Sequence, residues 1–245
     1  VTDPTTPQAP RSARLRTVVI IAGIVAALAV AAAILGPRWY AESRNSAAPP
    51  PLQAPTAGPA TAPPTTGPSA PGDDLAGEWR VGPGSEAGYR IEEVLNGNDV
   101  TVVGRTDSVS GTATVAGDRL TAATIEVDVA SIATDSSRRD SYFRDTALRA
   151  DEFPTATFEV TEPVDLPAAF VSGGSGATEV SGELTLAGQT RPATGTFELT
   201  RDGEAVAVSG TVDVDVRDYG IEPPNLGFVT VEPTGQVEFL VNLGR

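Results

Sequence analysis

The sequence predicts an all-β protein, an antiparallel barrel with one short helical segment, carried behind a single transmembrane helix and a disordered Pro-rich stalk. Three observations predict it. Apolar and polar side chains alternate through much of residues 75–245, an apolar run occupies residues 17–36, and Pro, Ala, Thr, Ser and Gly fill most of the interval between them. Period two marks a strand with one dry face, whereas a charge-free run of that length marks a bilayer span.

Residues 1–16 form an N-terminal tail carrying Arg11, Arg14 and Arg16. The run that follows, TVVIIAGIVAALAVAAAILG, would span about 30 Å at ~1.5 Å per residue, the thickness of a hydrocarbon core. On its far side Arg38 is offset by Glu42, so the positive-inside rule places the N-terminus in the cytoplasm and the remainder outside. Trp39 and Tyr40 sit where an interfacial aromatic belt belongs. A cleaved signal peptide is the competing reading, because Ala31 to Ala33 offers small residues to a peptidase; the barrel would then be secreted. The anchor is favoured, since signal-peptide apolar regions usually stop near ~15 residues.

Residues 37–74 are expected to be a linker. Nine prolines lie between Pro49 and Pro71, and such a composition buries too little apolar surface to offset its ordering entropy. The richest part, 45–74, would reach at most about 90 Å at ~3.1 Å per residue. A tether is favoured over a ligand for a proline-binding module.

Residues 75–245 are long enough for one core. Val206, Val208, Gly210, Val212, Val214 and Val216 share one face, opposite Ser209, Thr211, Asp213, Asp215 and Arg217. The same alternation recurs around Ile125, Val127 and Val129, Phe158 and Val160, Leu184 and Leu186, Phe197 and Leu199, and Val237 to Leu243. Turn residues separate these runs at Asn96-Gly97, Ala116-Gly117-Asp118, Ala187-Gly188 and Asp202-Gly203. Only residues 134–152 read as helical, with Asp135, Ser136 or Ser137 as cap. About eight strands of one-sided polarity favour a closed barrel, with a two-sheet sandwich as the alternative.

Composition removes much chemistry. The chain of 245 residues has no His, Cys or Met, and all 17 of its basic residues are Arg. That excludes a Ser-His-Asp triad, a thiol nucleophile, a His or Cys metal site, and any catalytic or phosphate-binding lysine. Residues 1–72 carry a net +3 and residues 73–245 a net −18. An acidic domain is a poor counterion for nucleic acid and for anionic lipid surfaces. The carboxylates show neither a calcium-loop spacing nor a glycosidase pair, so an enzyme is not expected, and no cofactor is.

Particular residues then become specific. Ser131-Ile132-Ala133-Thr134, Arg139-Asp140 and Asp151-Glu152-Phe153-Pro154-Thr155-Ala156-Thr157-Phe158 resemble the central signature of the YceI-like family of polyisoprenoid-binding proteins. Trp79-Arg80-Val81 with Tyr89-Arg90-Ile91 resembles the family's opening strands. Gly182-Glu183-Leu184-Thr185-Leu186-Ala187-Gly188-Gln189-Thr190-Arg191-Pro192 is similar to its central hairpin, and Arg217-Asp218-Tyr219-Gly220-Ile221 to a later segment. The resemblance covers residues 77–243. It implies an extended, lipocalin-like antiparallel barrel, exported in bacteria, not known as an enzyme, whose apolar interior holds a long isoprenoid chain. One departure is that family members often carry a His shortly after the Arg-Asp pair, where this chain has Tyr142; a role resting on an imidazole does not transfer.

Candidate lumen residues are Ile91, Ile125, Val127, Val129, Phe143, Leu148, Phe153, Phe158, Val160, Leu184, Leu186, Phe197, Val212, Val214, Phe228 and Phe239, each also readable as ordinary core. Phe143, Leu148 and Phe153 stand out, because their segment would cover the barrel mouth. Arg139, Asp140, Tyr142 and Arg144 are candidates for the mouth or a headgroup, since Arg suits bidentate anion recognition. For Arg139 and Asp140 the favoured reading is that they anchor the mouth segment to the barrel through hydrogen bonds, and for Arg144 and Arg149 the alternative is pairing with Asp145 or Asp151 on a solvated helix. The expected function is a membrane-tethered extracytoplasmic carrier of an isoprenoid lipid, such as a polyprenyl phosphate or quinone. The rival is a non-catalytic interaction module with a filled core.

Overall fold

A computed structural model of the chain describes residues 36–55 and 75–245. The expected tail and all of the apolar run except Gly36 lie outside the described residues. Among these no helix is long and apolar enough to cross a membrane.

The strands are β1 (Gly77–Val81), β2 (Glu86–Leu95), β3 (Asn98–Thr106), β4 (Val109–Ala116), β5 (Arg119–Asp128), β6 (Thr155–Val160), β7 (Val164–Asp165), β8 (Ser175–Leu186), β9 (Gln189–Asp202), β10 (Ala205–Asp215) and β11 (Val229–Gly244). All pairs are antiparallel. β1 continues into β2 as one kinked stave and β3 into β4 as another, because β1 pairs with β4 while β2 pairs with β3. The order then runs β4, β5, β6, β8, β9, β10, β11. β11 returns to the first stave, meeting β2 along most of its length and β1 through Arg80↔Gly244 and Val81↔Leu243. The result is the closed barrel of eight staves, and not a sandwich.

Turn chemistry sets the hairpins where the sequence placed them. Asn96 and Gly97 take φ of 49° and 76°, and Ala187 and Gly188 take 46° and 75°. Two successive left-handed residues make a turn whose twist matches that of the flanking strands.

The helical content differs from expectation. The expected helix over 134–152 is instead a short helix, Ser137–Tyr142, followed by a wider helical turn at Phe143–Ala147. Ser136 makes no side-chain cap hydrogen bond there, and Arg149 reverses the chain at φ 50°. Among the described residues two further α-helices occur, one covering 36–47 and one at Ala168–Val171. In chain order the three are α1 (36–47), α2 (Ser137–Tyr142) and α3 (Ala168–Val171).

Of the expected linker, residues 56–74 lie outside the described residues, and residues 37–55 differ from the expectation. The latter lie against the barrel: Ala41 is buried, and Asn45 completes the free edge of β3, its Nδ2 donating to the Asp99 carbonyl at 2.9 Å while its Oδ1 accepts from the Thr101 amide at 2.8 Å. The chain then crosses the outer wall. Arg90 donates to the Pro49 carbonyl at 2.8 Å, Arg105 to that of Pro50, the Leu52 amide to Glu238 at 3.3 Å, and the Ala54 amide to Ser209 Oγ at 2.9 Å. Beneath this strap Glu238 is only 1% exposed and pairs with Arg105 at 3.0 Å. The outer face of β10 and β11 is therefore not uniformly wet.

Candidate functional site

The barrel interior divides into two unequal parts. Along each stave the inward positions towards one end are filled by rings. Phe158, Phe197 and Phe239 form a chain with centroid separations of 5.8 and 5.1 Å. Strand glycines seat these rings. A Cβ on Gly182 would lie 2.9 Å from Phe158, one on Gly195 2.9 Å from Phe197, and one on Gly210 2.8 Å from Phe239. Trp79, its Nε1 donating to the Leu75 carbonyl at 2.9 Å, and Phe170 of α3 are also buried in this half. Only about 90 Å³ of empty space remains there.

The other half is open. A cavity of about 530 Å³ lies between β2, β5, β10, β11, α2 and the segment 221–229, a size usual for a small-molecule site. Its wall combines branched aliphatics with few polar groups. Ile91, Val127, Val129, Phe143, Leu148, Leu186, Val214 and Phe228 line it, with Arg139 and Tyr142 at the mouth. Of the other sequence candidates, Ile125, Phe158, Val160, Phe197 and Phe239 surround the small void in the filled half. Leu184 and Val212 are 2% and 1% exposed and belong to the packed core, lining neither space.

Phe153 falls elsewhere than expected, whereas Asp140 and Arg144 take the anchoring and ion-pair roles rather than a headgroup role. Phe153 does not cover the mouth; it packs on Gly188 at the β8–β9 turn, under the Arg149 guanidinium at 4.8 Å. Asp140 turns away from the cavity, because it accepts from both the amide and the hydroxyl of Thr134, at 2.8 and 2.6 Å, and so ties down the approach to α2. Arg144 pairs with Asp145 at 2.8 Å on the exposed side of its turn.

The polar end of the cavity is built from β2 and α2. Tyr89, Ile91 and Glu93 point inward from alternate positions of β2, and Tyr89 stacks on Phe143 at 4.5 Å and 21°. Gly104 opposite Tyr89 makes room for that ring, where any side chain would collide. Burial pushes the Tyr89 phenol well above its ordinary pKa, with the Arg139 guanidinium acting in the opposite sense. The phenol is therefore neutral at physiological pH. Glu93 is 7% exposed and faces Arg139 at 3.5 Å, and Arg139 also holds Asp135 at 2.8 Å. Arg139 is thereby an anchor between α2 and the barrel wall. Its neighbour Arg138 lines the mouth, is exposed, and forms no ion pair among the described residues.

Sequence reasoning passed over Tyr89, Glu93, Val231 and Val237 as site residues. The signal for Tyr89 and Glu93 was present, since both share the period of Ile91, but an acid at an inward position reads as a break in the alternation.

A scan against family models matches the YceI-like domain to residues 79–243. The chain belongs to the YceI-like family. Among curated proteins it is similar to two UPF0312 proteins from strains of Vibrio cholerae, each 32% identical over 105 residues, or 40% of this chain and 52% of the relative. It thus spans about half the length of those relatives. Among solved structures it is similar to a polyisoprenoid binding domain from Saccharophagus degradans implicated in plant cell wall breakdown. The TM-score is 0.54 at 19% identity, with 68% of this chain and 97% of that one covered. It is also similar to BcnA of Burkholderia cenocepacia, with TM-score 0.52, 18% identity, and coverage of 64% and 95%. At these identities the two structures support the YceI-like barrel fold.

Proposed function

We propose that this YceI-like barrel binds the prenyl chain of an isoprenoid lipid in its mouth cavity and holds it for sequestration or transfer. The observation that carries the reading is the apolar cavity of about 530 Å³ behind a short helix, in a barrel whose other half is filled. The solved relative described as a polyisoprenoid binding domain supports the ligand class. Each buried methylene would contribute about 0.8 kcal/mol, so a few isoprene units suffice for micromolar affinity after ordering costs. The headgroup, a polyprenyl phosphate or a quinone, would remain at the mouth near Arg138 and the neutral Tyr89 phenol. The protein works as a binder, with the apolar run at residues 17–36 as a single-pass anchor and the barrel outside the cytoplasm. A displayed interaction module would have a filled core, which only one half of this barrel has.

The test is mass spectrometry of an organic extract of the chain purified from its native host, with uptake of farnesol and longer prenols measured on the same protein. A co-purifying isoprenoid, or saturable prenol uptake, is the expected result. Absence of both would overturn the reading.

A further inference from the structure

The large apolar side chains that the described residues leave most exposed are Trp39, Tyr40, Tyr142, Leu226 and Phe228. All of them lie at the open end. The Phe228 carbonyl receives the Asn96 amide at the β2–β3 tip, and Tyr142 reaches the Glu222 carbonyl at 3.5 Å. α1 comes to the same tip, where Arg38 and Ala41 share a surface hollow with Gly97, Asn98 and Asp99. At the opposite end, the β4–β5 and β9–β10 turns present Asp118, Arg119, Asp202 and Glu204 to solvent. Exposed aromatic and aliphatic groups gathered around the entrance of an apolar cavity are the arrangement of a face that meets a lipid interface, with the exposed charges beside them, such as Asp99, Arg138 and Glu222, at the level of the headgroups.

The strap fixes how that face is presented. Arg44 pairs with Asp135 at 2.5 Å, Asn45 is bound to β3, and the chain through Ala54 is pinned to the outer wall over Glu238. The twenty-residue apolar run therefore joins the domain at Gly36, on the mouth side, rather than through a long free stalk. We propose that the mouth end is a docking face for a phospholipid bilayer surface. Trp39, Tyr40, Tyr142, Leu226 and Phe228 enter the boundary between headgroups and acyl chains, so that a prenyl tail passes from bilayer to cavity without crossing water. The domain's net −18 over residues 73–245 makes insertion of these side chains, and not attraction to anionic headgroups, the source of binding. Exposed Arg38 and Arg138 lie at the level of the headgroups. The purpose given to the face rests on the isoprenoid reading; the docking itself does not require it.

The chain has no cysteine, so single reporters can be introduced into the full chain. Phe228→Cys at the mouth and Glu204→Cys at the far end would each carry an environment-sensitive nitrobenzoxadiazole label, in chain reconstituted into phosphatidylcholine vesicles. The expected result is a blue shift at position 228 with quenching by spin-labelled lipid, and an aqueous spectrum at 204. Added phosphatidylglycerol should not strengthen the shift. With the reporter moved to Tyr142→Cys, the additional change Leu226→Asp should reduce the shift. Aqueous spectra at both positions, equal burial of both, or no association with the vesicles would overturn the docking face. Prenol uptake by unlabelled chain in detergent is scored separately, so loss of uptake with the shift retained would count against the carried ligand and leave the docking face standing.

Discussion

The two halves of the barrel share the same staves, the same period-two alternation and the same closure, yet one is filled and the other holds a cavity. The difference lies in a few positions. In the filled half, β6, β9 and β11 each point a phenylalanine inward, and strand glycines beside them let the rings settle to 5–6 Å separations. In the open half the corresponding rows carry Val127, Leu186, Val214 and Val237, and the nearest rings, Tyr89 and Phe143, stack at the entrance. Strand number sets the width of a barrel, but ring placement decides whether that width is occupied. Here it converts a through-going lumen into a one-ended pocket.

The largest expected effect comes from removing the middle ring of the filled half. Phe197→Ala should cost about 3–5 kcal/mol in denaturant unfolding, the usual loss for a buried phenylalanine. It should also join the two spaces and shift preference towards longer prenols. Phe143→Ala at the mouth removes a ring that is only half-buried and one stacking contact. About 1 kcal/mol of stability is expected to go with it, together with prenol affinity. Equal stability losses at the two positions would show that the mouth is ordinary core and would end the distinction between the halves.

The sequence made the barrel legible because alternation and turn chemistry are local. Asn96-Gly97 and Ala187-Gly188 sit at the tips of the expected hairpins, and Val206 to Val214 face inward as their spacing implies. What lay beyond it was which inward residue meets a neighbour and which meets space. That depends on cross-strand pairs such as Gly210 beneath Phe197 and Phe239, which are distant along the chain. The strap was hidden for the same reason. Prolines at 49 and 50 read as linker by composition, and only the fold brings their carbonyls to Arg90 and Arg105. Phe153 lies away from the mouth because the segment expected as one helix over 134–152 is broken where the chain turns back at Arg149.

Adding volume tests the same contrast with smaller effects. One methyl at Gly210 should cost about 1–3 kcal/mol, since its carbon would fall 2.8 Å from the Phe239 ring in a half with little room to yield. Leu186→Trp adds far more, but into the open cavity, so its cost should stay below ~1 kcal/mol while prenol affinity falls at least tenfold, or about 1.4 kcal/mol. Paired unfolding and prenol titrations read both. A Leu186→Trp chain that binds prenol undiminished would place the ligand elsewhere.

The smallest effect concerns the turn where β10 leaves the packed half and becomes mouth wall. Asp215 caps the turn Val216–Tyr219 by accepting from the Arg217 amide at 3.0 Å, and its carboxylate also holds the Arg217 guanidinium at 2.5 Å. The hydrogen bonds from the Arg217 side chain lower the Asp215 pKa to about 2. A depressed carboxylate supports the folded state fully above its unfolded pKa, near 3.8, and that support is lost as pH falls through about 2. The Asp215 carboxyl resonance should therefore titrate near 2 and move up towards the ordinary value in Arg217→Gln. Because the pair is on the surface, the change in global stability should be slight. The local consequence is the informative one. Val216 lines the mouth cavity while Tyr219 is buried in the core, so amide exchange across 216–221 should quicken at low pH before that of Val206 and Val208 in the same stave. Simultaneous loosening of both stretches would mean that the mouth and the filled half open as one unit.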